Sequence, residues 1–170
     1  GSAAAANLAA GIDGCVAIGY QALDAAVTAG HYTIAIGQHA LGGLTSGDGN
    51  VAIGYQALKT TTTTSNNTAV GYEALLYNVG DKNTSLGFEA LQGSSRVFTG
   101  DRNVGLGYRA GFEMDYGSDN VYVGSSAGQN NSSGSYNVAI GSAAGDAGSS
   151  NFSYNNAVGY NALTALTTGD

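Results

Sequence analysis

Apolar and polar residues alternate within a nine-residue phrase that recurs along the chain. The copy at residues 50–58 reads NVAIGYQAL, and close variants are NTAVGYEAL at residues 67–75 and NTSLGFEAL at residues 83–91. Alternation with a period of two is typical of a β-strand, in which successive side chains point to opposite faces. The phrase therefore predicts an extended segment. One face would carry Val51, Ile53, Tyr55 and Ala57, and the other Ala52, Gly54 and Gln56.

A glycine marks the centre of every copy. The residue before this glycine is always a branched aliphatic, the third residue after it is always alanine, and asparagine opens seven of the nine copies. Successive glycines are separated by 16 to 20 residues. A recurring period of this length indicates a repeat architecture in which each copy is one structural unit. The nine glycines are Gly19, Gly37, Gly54, Gly71, Gly87, Gly107, Gly124, Gly141 and Gly159.

Turn-forming residues fill the segments between the copies. Glycine followed by aspartate recurs there, as at Asp48, Asp81 and Asp101, and such pairs suit a backbone with positive φ. A unit of this length holds two short strands and two turns but no long helix. At the strand spacing of ~4.8 Å, equivalent residues would form ladders, and asparagine ladders would satisfy backbone groups of the turns. The sequence therefore predicts an all-β fold, a parallel β-solenoid of about nine 17-residue coils.

Composition and charge narrow the classes of function. The 170 residues include 5 Lys+Arg and 12 Asp+Glu, for a net charge of −7, and 43% of them are hydrophobic. This hydrophobic content argues against disorder. The acidic balance argues against binding to nucleic acid or to anionic lipid, both of which need a basic surface. No apolar run approaches the ~20 residues of a membrane-spanning helix, so we expect no membrane insertion by this segment. A single cysteine, Cys15, excludes an intrachain disulfide.

The predicted coils are thin, and this bears on association. A coil of this length encloses only a few aliphatic side chains, while an aromatic row one residue after the central glycines adds a long apolar stripe. A single rod would expose more apolar surface than soluble monomers usually show. We therefore expect a closed cyclic oligomer, and specifically a side-by-side homotrimer that buries one face of each rod. The aromatic row consists of Tyr20, Tyr55, Tyr72, Phe88, Tyr108 and Tyr160.

The phrases VAIG and TAVG, with alanine three residues beyond the glycine, resemble the head repeats of YadA-like trimeric autotransporter adhesins and related repeats of bacteriophage tail-fibre proteins. The resemblance covers residues 15–163. It implies a left-handed parallel β-roll in which three chains wind side by side, and attachment to a host surface or receptor. The implied location is extracellular, on a bacterial cell surface or a virion tail fibre. The period is longer and less regular here than in the better-known adhesin heads, and both origins stay open.

The resemblance also frames the domain organisation. Residues 1–6 begin with Gly-Ser and continue with four alanines, and we interpret them as a remnant of an expression vector. Residues 7–170 then form one β-solenoid repeat domain. Because residues 8–14 and the final four residues match parts of the turns between copies, we expect this domain to be excised from a longer fibre.

The longest segment between copies is the best candidate for a binding site. Residues 92–102 run about three residues beyond the usual length, and four of the five basic residues lie in or near this segment. Loops on a rigid scaffold carry function more often than the scaffold itself does. A tolerated insertion is the alternative. The predicted binding residues are Arg96, Phe98, Arg102, Tyr108 and Arg109.

Candidate catalytic and metal-binding groups are few. His31 and His39 lie in one predicted coil without a serine or cysteine nucleophile pattern, and we interpret them as solvent-facing. The Gly-Asp turns lack the G-G-x-G-x-D pattern of calcium-binding β-rolls, and turn geometry explains their aspartates without an ion. We therefore predict no enzyme activity, no catalytic residue, no metal and no cofactor.

Two further interactions are expected between neighbouring coils. Glu89 and Arg109 occupy the same position in consecutive copies, which predicts an exposed salt bridge. The aromatic row could stack on sugars, but packing of the rings on one another or across a chain interface is the favoured interpretation.

Three functions follow from these expectations. The first is a trimeric surface-fibre segment that mediates adhesion, with itself and a host-surface glycan or protein receptor as partners. The second is a passive shaft or spacer with no binding site of its own. The third is a polysaccharide-depolymerising tail spike.

Overall fold

The described part of the chain is built from nine short parallel β-strands. The computed structural model describes residue 4 and residues 12–94, 97–146 and 152–165. Each strand has three residues, and consecutive strands begin 16 to 20 residues apart. The strands are β1 (Val16–Ile18), β2 (Ile34–Ile36), β3 (Val51–Ile53), β4 (Thr68–Val70), β5 (Thr84–Leu86), β6 (Val104–Leu106), β7 (Val121–Val123), β8 (Val138–Ile140) and β9 (Asn156–Val158).

All nine strands belong to one parallel sheet, in chain order from β1 to β9. Equivalent residues of consecutive copies pair directly, so that Ala35 is opposite Ala52 and Ala52 is opposite Ala69. Between one strand and the next the chain makes one circuit and returns, which gives a parallel β-solenoid of about eight turns. No helix occurs in the part of the chain that the structure describes. At ~4.8 Å per strand the sheet is about 38 Å long. The predicted solenoid is confirmed.

Each coil contains one strand, and the prediction of two strands per coil is wrong. The far side of the solenoid consists of turns with two isolated bridges among the described residues, Ala29–Ser46 and Asn78–Phe98. The reason is local backbone geometry. Non-glycine residues adopt left-handed φ values soon after the strand, for example 55° at Gln56 and 50° at Leu58. A left-handed residue cannot continue an extended strand.

The strand ends at the central glycine, so the predicted division of the phrase into two faces holds only before it. Val51 and Ile53 share the outer face of the sheet, and Ala52 between them is completely buried. Beyond Gly54 the chain turns, so that Tyr55 is exposed and Ala57 is buried. The interior of the coils is therefore lined mainly by alanine and leucine, while the branched aliphatics of the strands point outward.

One large side chain fills the interior where its neighbours are glycines. Tyr122 is completely buried, and its hydroxyl oxygen accepts a hydrogen bond from Asn131 Nδ2 at 2.9 Å. Burial raises the pKa of the Tyr122 phenol. A Cβ atom at Gly111 would lie 2.8 Å from the ring, and Gly128 faces the same ring. Earlier coils carry leucine at the positions of these glycines, so the ring of Tyr122 occupies space that leucine side chains fill in the earlier coils.

Buried asparagines connect the coils on the inner side of the sheet. Asn120 shows the pattern: its Nδ2 donates to the Gly134 carbonyl of the next coil at 2.9 Å, and its Oδ1 accepts from the Asn137 amide at 2.9 Å. Its own amide donates to Asn103 Oδ1 at 3.0 Å. The same link joins seven consecutive coils, and the predicted asparagine ladder is confirmed. Its members are Asn50, Asn67, Asn83, Asn103, Asn120, Asn137 and Asn155.

The central glycines stack in one column, with φ between +123° and +142°. A Cβ atom at Gly107 would lie 2.6 Å from the Gly124 carbonyl oxygen above it. Both the left-handed φ and the close approach of consecutive chains therefore require glycine here. A second column that the sequence analysis missed contains Gly80, Gly100 and Gly117, each facing the carbonyl oxygen of the next coil.

Replacing one ladder asparagine should weaken the fold strongly. The Asn120→Ala variant leaves the buried Asn137 amide and Gly134 carbonyl without their partners, at ~1–3 kcal/mol each, so we expect a loss of about 2–5 kcal/mol. Urea denaturation at one fixed chain concentration measures this loss. Asn130→Ala is the matched control, because Asn130 Nδ2 bonds only to the Asp146 side chain, at 2.7 Å, among the described contacts. Equal losses in both variants would contradict the role assigned to the ladder.

Candidate functional site

The outer face of the sheet is an apolar surface along the whole stack. Every strand directs two side chains outward, and in all nine strands these are Val, Ile, Leu, Thr or a single asparagine, Asn156. Ile53 is 37% exposed and Leu86 is 52% exposed. Two ladders of branched side chains thus run side by side along the rod.

Stacked aromatic rings border this surface. Consecutive ring centroids from Tyr55 through Tyr72 and Phe88 to Tyr108 are 5.0, 5.0 and 5.6 Å apart, and the planes of neighbouring rings differ by 19° or less. Each inner ring is therefore covered on both faces by its neighbours and exposes mainly its edge. This confirms that the rings pack on one another, and it leaves no open ring face within the stack for a sugar. Tyr20 does not join them and contacts His39 edge to face instead.

The predicted binding residues do not form one cluster. Arg96 lies outside the described residues. Phe98 is a core residue whose side chain is completely buried. Its backbone pairs with the preceding coil: the Phe98 amide donates to the Tyr77 carbonyl and the Phe98 carbonyl accepts from the Val79 amide, both at 2.8 Å. The expectation that Phe98 contributes to a binding surface is corrected accordingly.

Arg102 is exposed, but its guanidinium is bound to a neighbouring coil. Nε donates to Asp119 Oδ1 at 2.6 Å and Nη2 donates to Asp119 Oδ2 at 2.9 Å. This hydrogen-bonded pair lowers the pKa of Asp119 and raises the pKa of Arg102. Arg102 precedes β6, whereas Tyr108 and Arg109 follow it, so the three residues lie beyond opposite ends of this strand.

Arg109 forms the predicted salt bridge to Glu89, with Nε and Oε2 2.6 Å apart. Its guanidinium carbon also lies 5.4 Å from the ring centre of Tyr108 and 4.8 Å from that of Phe112, within the range of cation–π contacts. The hydrogen bond to Glu89 raises the pKa of Arg109. Both described arginines of the candidate site thus bridge neighbouring coils.

The described part of the long segment is attached to the scaffold. The amide of Ser94 donates to Asp115 Oδ1 at 2.9 Å, and its hydroxyl donates to Asp115 Oδ2 at 2.6 Å. Gln92 Nε2 donates to Glu73 Oε2 at 2.6 Å. The segment therefore begins bound to the neighbouring coils, and Val97 is exposed.

The turn aspartates accept hydrogen bonds from the backbone of the preceding coil. Asp48 Oδ1 accepts from the His31 amide, Asp81 Oδ1 from the Ser65 amide and Asp101 Oδ1 from the Asp81 amide, each at 2.8 Å. These contacts account for the aspartates as turn residues. In residues 12–94, 97–146 and 152–165 no group of three His, Cys, Asp or Glu side chains could hold a metal ion.

A small open hollow, which the sequence did not predict, lies on the first three coils. It encloses about 250 Å³. The imidazole of His39 lines it and is half-buried, where the sequence predicted a solvent-facing side chain. The sequence feature that indicates this hollow is Gly42, which occupies a position where all other coils carry a larger side chain. The lining residues are Gln21, Asp24, His39, Gly42, Gly43 and Lys59.

No family model matches the chain, and neither a curated protein nor a solved structure matches it. Within the described residues there is no helix with the length and apolar character needed to cross a bilayer. The resemblance to YadA-like repeats stays an interpretation of the sequence.

The ion pair at Asp119 predicts a measurable pH effect. Because Arg102 favours the charged carboxylate, Asp119 should titrate below the 3.8 of an unperturbed aspartate, and its stabilising effect should be present above 3.8 and lost as the pH falls through the lowered pKa. Arg102→Gln should raise the midpoint towards 3.8. Carboxyl ¹³C NMR measures both values. Lys82→Gln, one coil before Arg102, is the control and should leave Asp119 unchanged; an unshifted midpoint in Arg102→Gln would contradict the assignment.

Proposed function

We propose that this chain is a segment of a homotrimeric surface fibre that mediates adhesion or receptor binding. The observation that carries the proposal is the outer sheet face, where two ladders of mainly aliphatic side chains remain partly or fully exposed along the nine described strands. Soluble monomers rarely expose contiguous apolar patches larger than a few hundred Å². A rod with such a face is suited to packing against copies of itself.

The composition of the face supports a dry interface. None of the outward positions in the nine described strands carries a charged side chain, although the chain as a whole has a net charge of −7. Charged residues lie instead in the turns beside the sheet, as Arg102 and Asp119 do. Depletion of charge at the centre with a polar rim is typical of interfaces between proteins.

Three parts of the proposal rest on the resemblance to YadA-like and tail-fibre repeats. These are the number of chains, the left-handed winding and the location of the fibre at a host-facing surface. We expect a closed cyclic assembly on physical grounds, because packing the apolar face of each rod around a common axis covers that face in every copy and leaves none exposed for open polymerisation. The rods would lie parallel, with the aliphatic ladders at the axis and the turns outside. Turns on a rigid rod are then available to a receptor.

A passive spacer is the second candidate. The observation that favours it is the uninterrupted register of the sheet from β1 to β9, in which equivalent residues pair in every step. Many outward polar side chains also bind neighbouring coils, as Arg109 binds Glu89 and Gln92 binds Glu73. A rod of this kind can serve as a rigid spacer of fixed length without a binding site of its own.

The assembly is tested by light scattering. We expect a particle of three times 16.9 kDa, and we expect Ile53→Lys combined with Leu86→Lys to give single chains, because two charges would be buried at the axis. Thr62→Lys with Thr63→Lys is the control, since both threonines are exposed away from the sheet. A 16.9 kDa particle for the unmodified chain at micromolar concentration would refute the trimer.

Adhesion is tested separately on the assembled chain. Immobilised bacterial lipopolysaccharides, capsular polysaccharides and animal matrix proteins form the panel, and surface plasmon resonance measures the response. We expect saturable binding to at least one surface, and a loss of at least ~10-fold in apparent affinity for the Ile53→Lys/Leu86→Lys variant, since single attachment points lose avidity. If no surface is bound, the adhesive function fails and the spacer stands.

A further inference from the structure

The hollow on the first three coils results from a missing side chain. Gly42 is the fifth residue after its central glycine, and the same position carries Asp24 in the preceding coil and Lys59 in the following coil. In the fourth and fifth coils the side chains at this position are buried: Leu76 is 5% exposed and Gln92 is 8% exposed. Gly42 has no side chain to fill this space, so the hollow between the neighbouring coils stays open.

Backbone geometry does not demand this glycine. Gly42 does not have a left-handed φ, and the nearest atom to a Cβ built there would be the His39 carbonyl oxygen at 3.3 Å. Leucine at the same position in a later coil shows that the solenoid accommodates a large side chain there. The hollow is thus a local feature of these coils that the fold does not require.

The lining groups offer complementary hydrogen-bonding chemistry. Of the lining residues, Lys59 carries an ammonium donor, and Gln21 carries a side-chain donor and acceptor. Asp24 supplies carboxylate oxygens, and His39 presents an imidazole whose ring is held edge to face against Tyr20, with centroids 5.6 Å apart. All of these side chains except Tyr20 are half-buried. Donors, acceptors and a flat ring in one concave site suit a ligand with several hydroxyl groups.

Size and charge restrict the ligand further. The volume of about 250 Å³ is below the ~300–1,000 Å³ of pockets that take drug-sized molecules, so a single sugar residue fits better than an oligosaccharide. A site with one carboxylate and one ammonium does not select an ion of either sign. The net charge of −7 opposes the approach of an anionic sugar.

From this arrangement we infer that the hollow around Gly42 binds one neutral hexose unit of a surface glycan. The inference rests on the proposed adhesive function and names the ligand class for it. Hexose hydroxyls accept hydrogen bonds from Lys59 and Gln21, while the imidazole of His39 packs against the sugar ring. In the assembled fibre three such sites would act together, so weak single sites would give firm attachment.

Methyl glycosides of glucose, galactose and mannose are the probes. ¹H–¹⁵N NMR titration of the full chain should show saturable shifts of the Gly42 and Gly43 amides with at least one glycoside. Gly42→Leu fills the hollow with a side chain that the fold already uses at this position, and it should weaken binding at least ~10-fold, or ~1.4 kcal/mol. Gln129→Leu places leucine at the equivalent position five coils away and should leave the affinity unchanged.

A second variant guards against a folding defect. Lys59→Met removes the ammonium donor and keeps the length of the side chain, and it should also reduce the affinity while the NMR spectrum stays that of the folded chain. The inference is overturned if none of the three glycosides shifts the Gly42 region, or if folded Gly42→Leu and Lys59→Met bind as tightly as the unmodified chain.

The surface panel separates this result from the proposed function. If the chain forms trimers and the Gly42→Leu variant binds the panel as well as the unmodified chain does, adhesion stands and the hollow is not its site. If Gly42→Leu abolishes panel binding and Gln129→Leu does not, the hollow is the adhesive site.

Discussion

Register between successive coils depends on the buried asparagines, since each one joins its coil to both neighbours. The side chain of Asn120 accepts from the next backbone amide and donates to the next turn carbonyl, and its own amide is bound by the asparagine below. A slip of one residue would break these bonds and place aliphatic side chains in an interior lined by alanine and leucine. The glycine column acts with the ladder, because only glycine lets consecutive chains approach so closely.

A narrow interior explains the unusual distribution of apolar residues. The interior of the third coil is filled by small side chains such as Ala52 and Ala57 together with one leucine, Leu58. A larger side chain, Tyr122, fits inside where neighbouring positions carry glycine, and the branched residues of the strands lie on the outer face of the sheet. The narrow apolar core and the hydrogen bonds along the axis thus hold the solenoid together, while the aliphatic side chains of the strands are left for packing between rods.

The solenoid, its asparagine ladder and the Glu89–Arg109 pair could be predicted because each depends on equivalent residues meeting in consecutive coils. The direction of the side chains could not, because alternation defines two faces without saying which one is inside. Left-handed φ at Gln56 and Leu58 also escaped prediction, since neither residue type favours it. Phe98 looked like a loop residue because the pairing with Asn78 that buries it is visible only in three dimensions. The hollow could be recognised only once the structure placed Gly42 between Asp24 and Lys59.

Because each described strand pairs only with strands of the neighbouring coils, the number of copies can change during evolution without altering the rest of the rod. Duplication or deletion of one copy alters the reach of the rod by a single strand spacing of ~4.8 Å and leaves every other junction as it was. Changes in copy number therefore alter the distance between the two ends of the rod in small, equal increments. Differences of up to four residues between the lengths of individual copies fall between the strands and do not disturb their pairing.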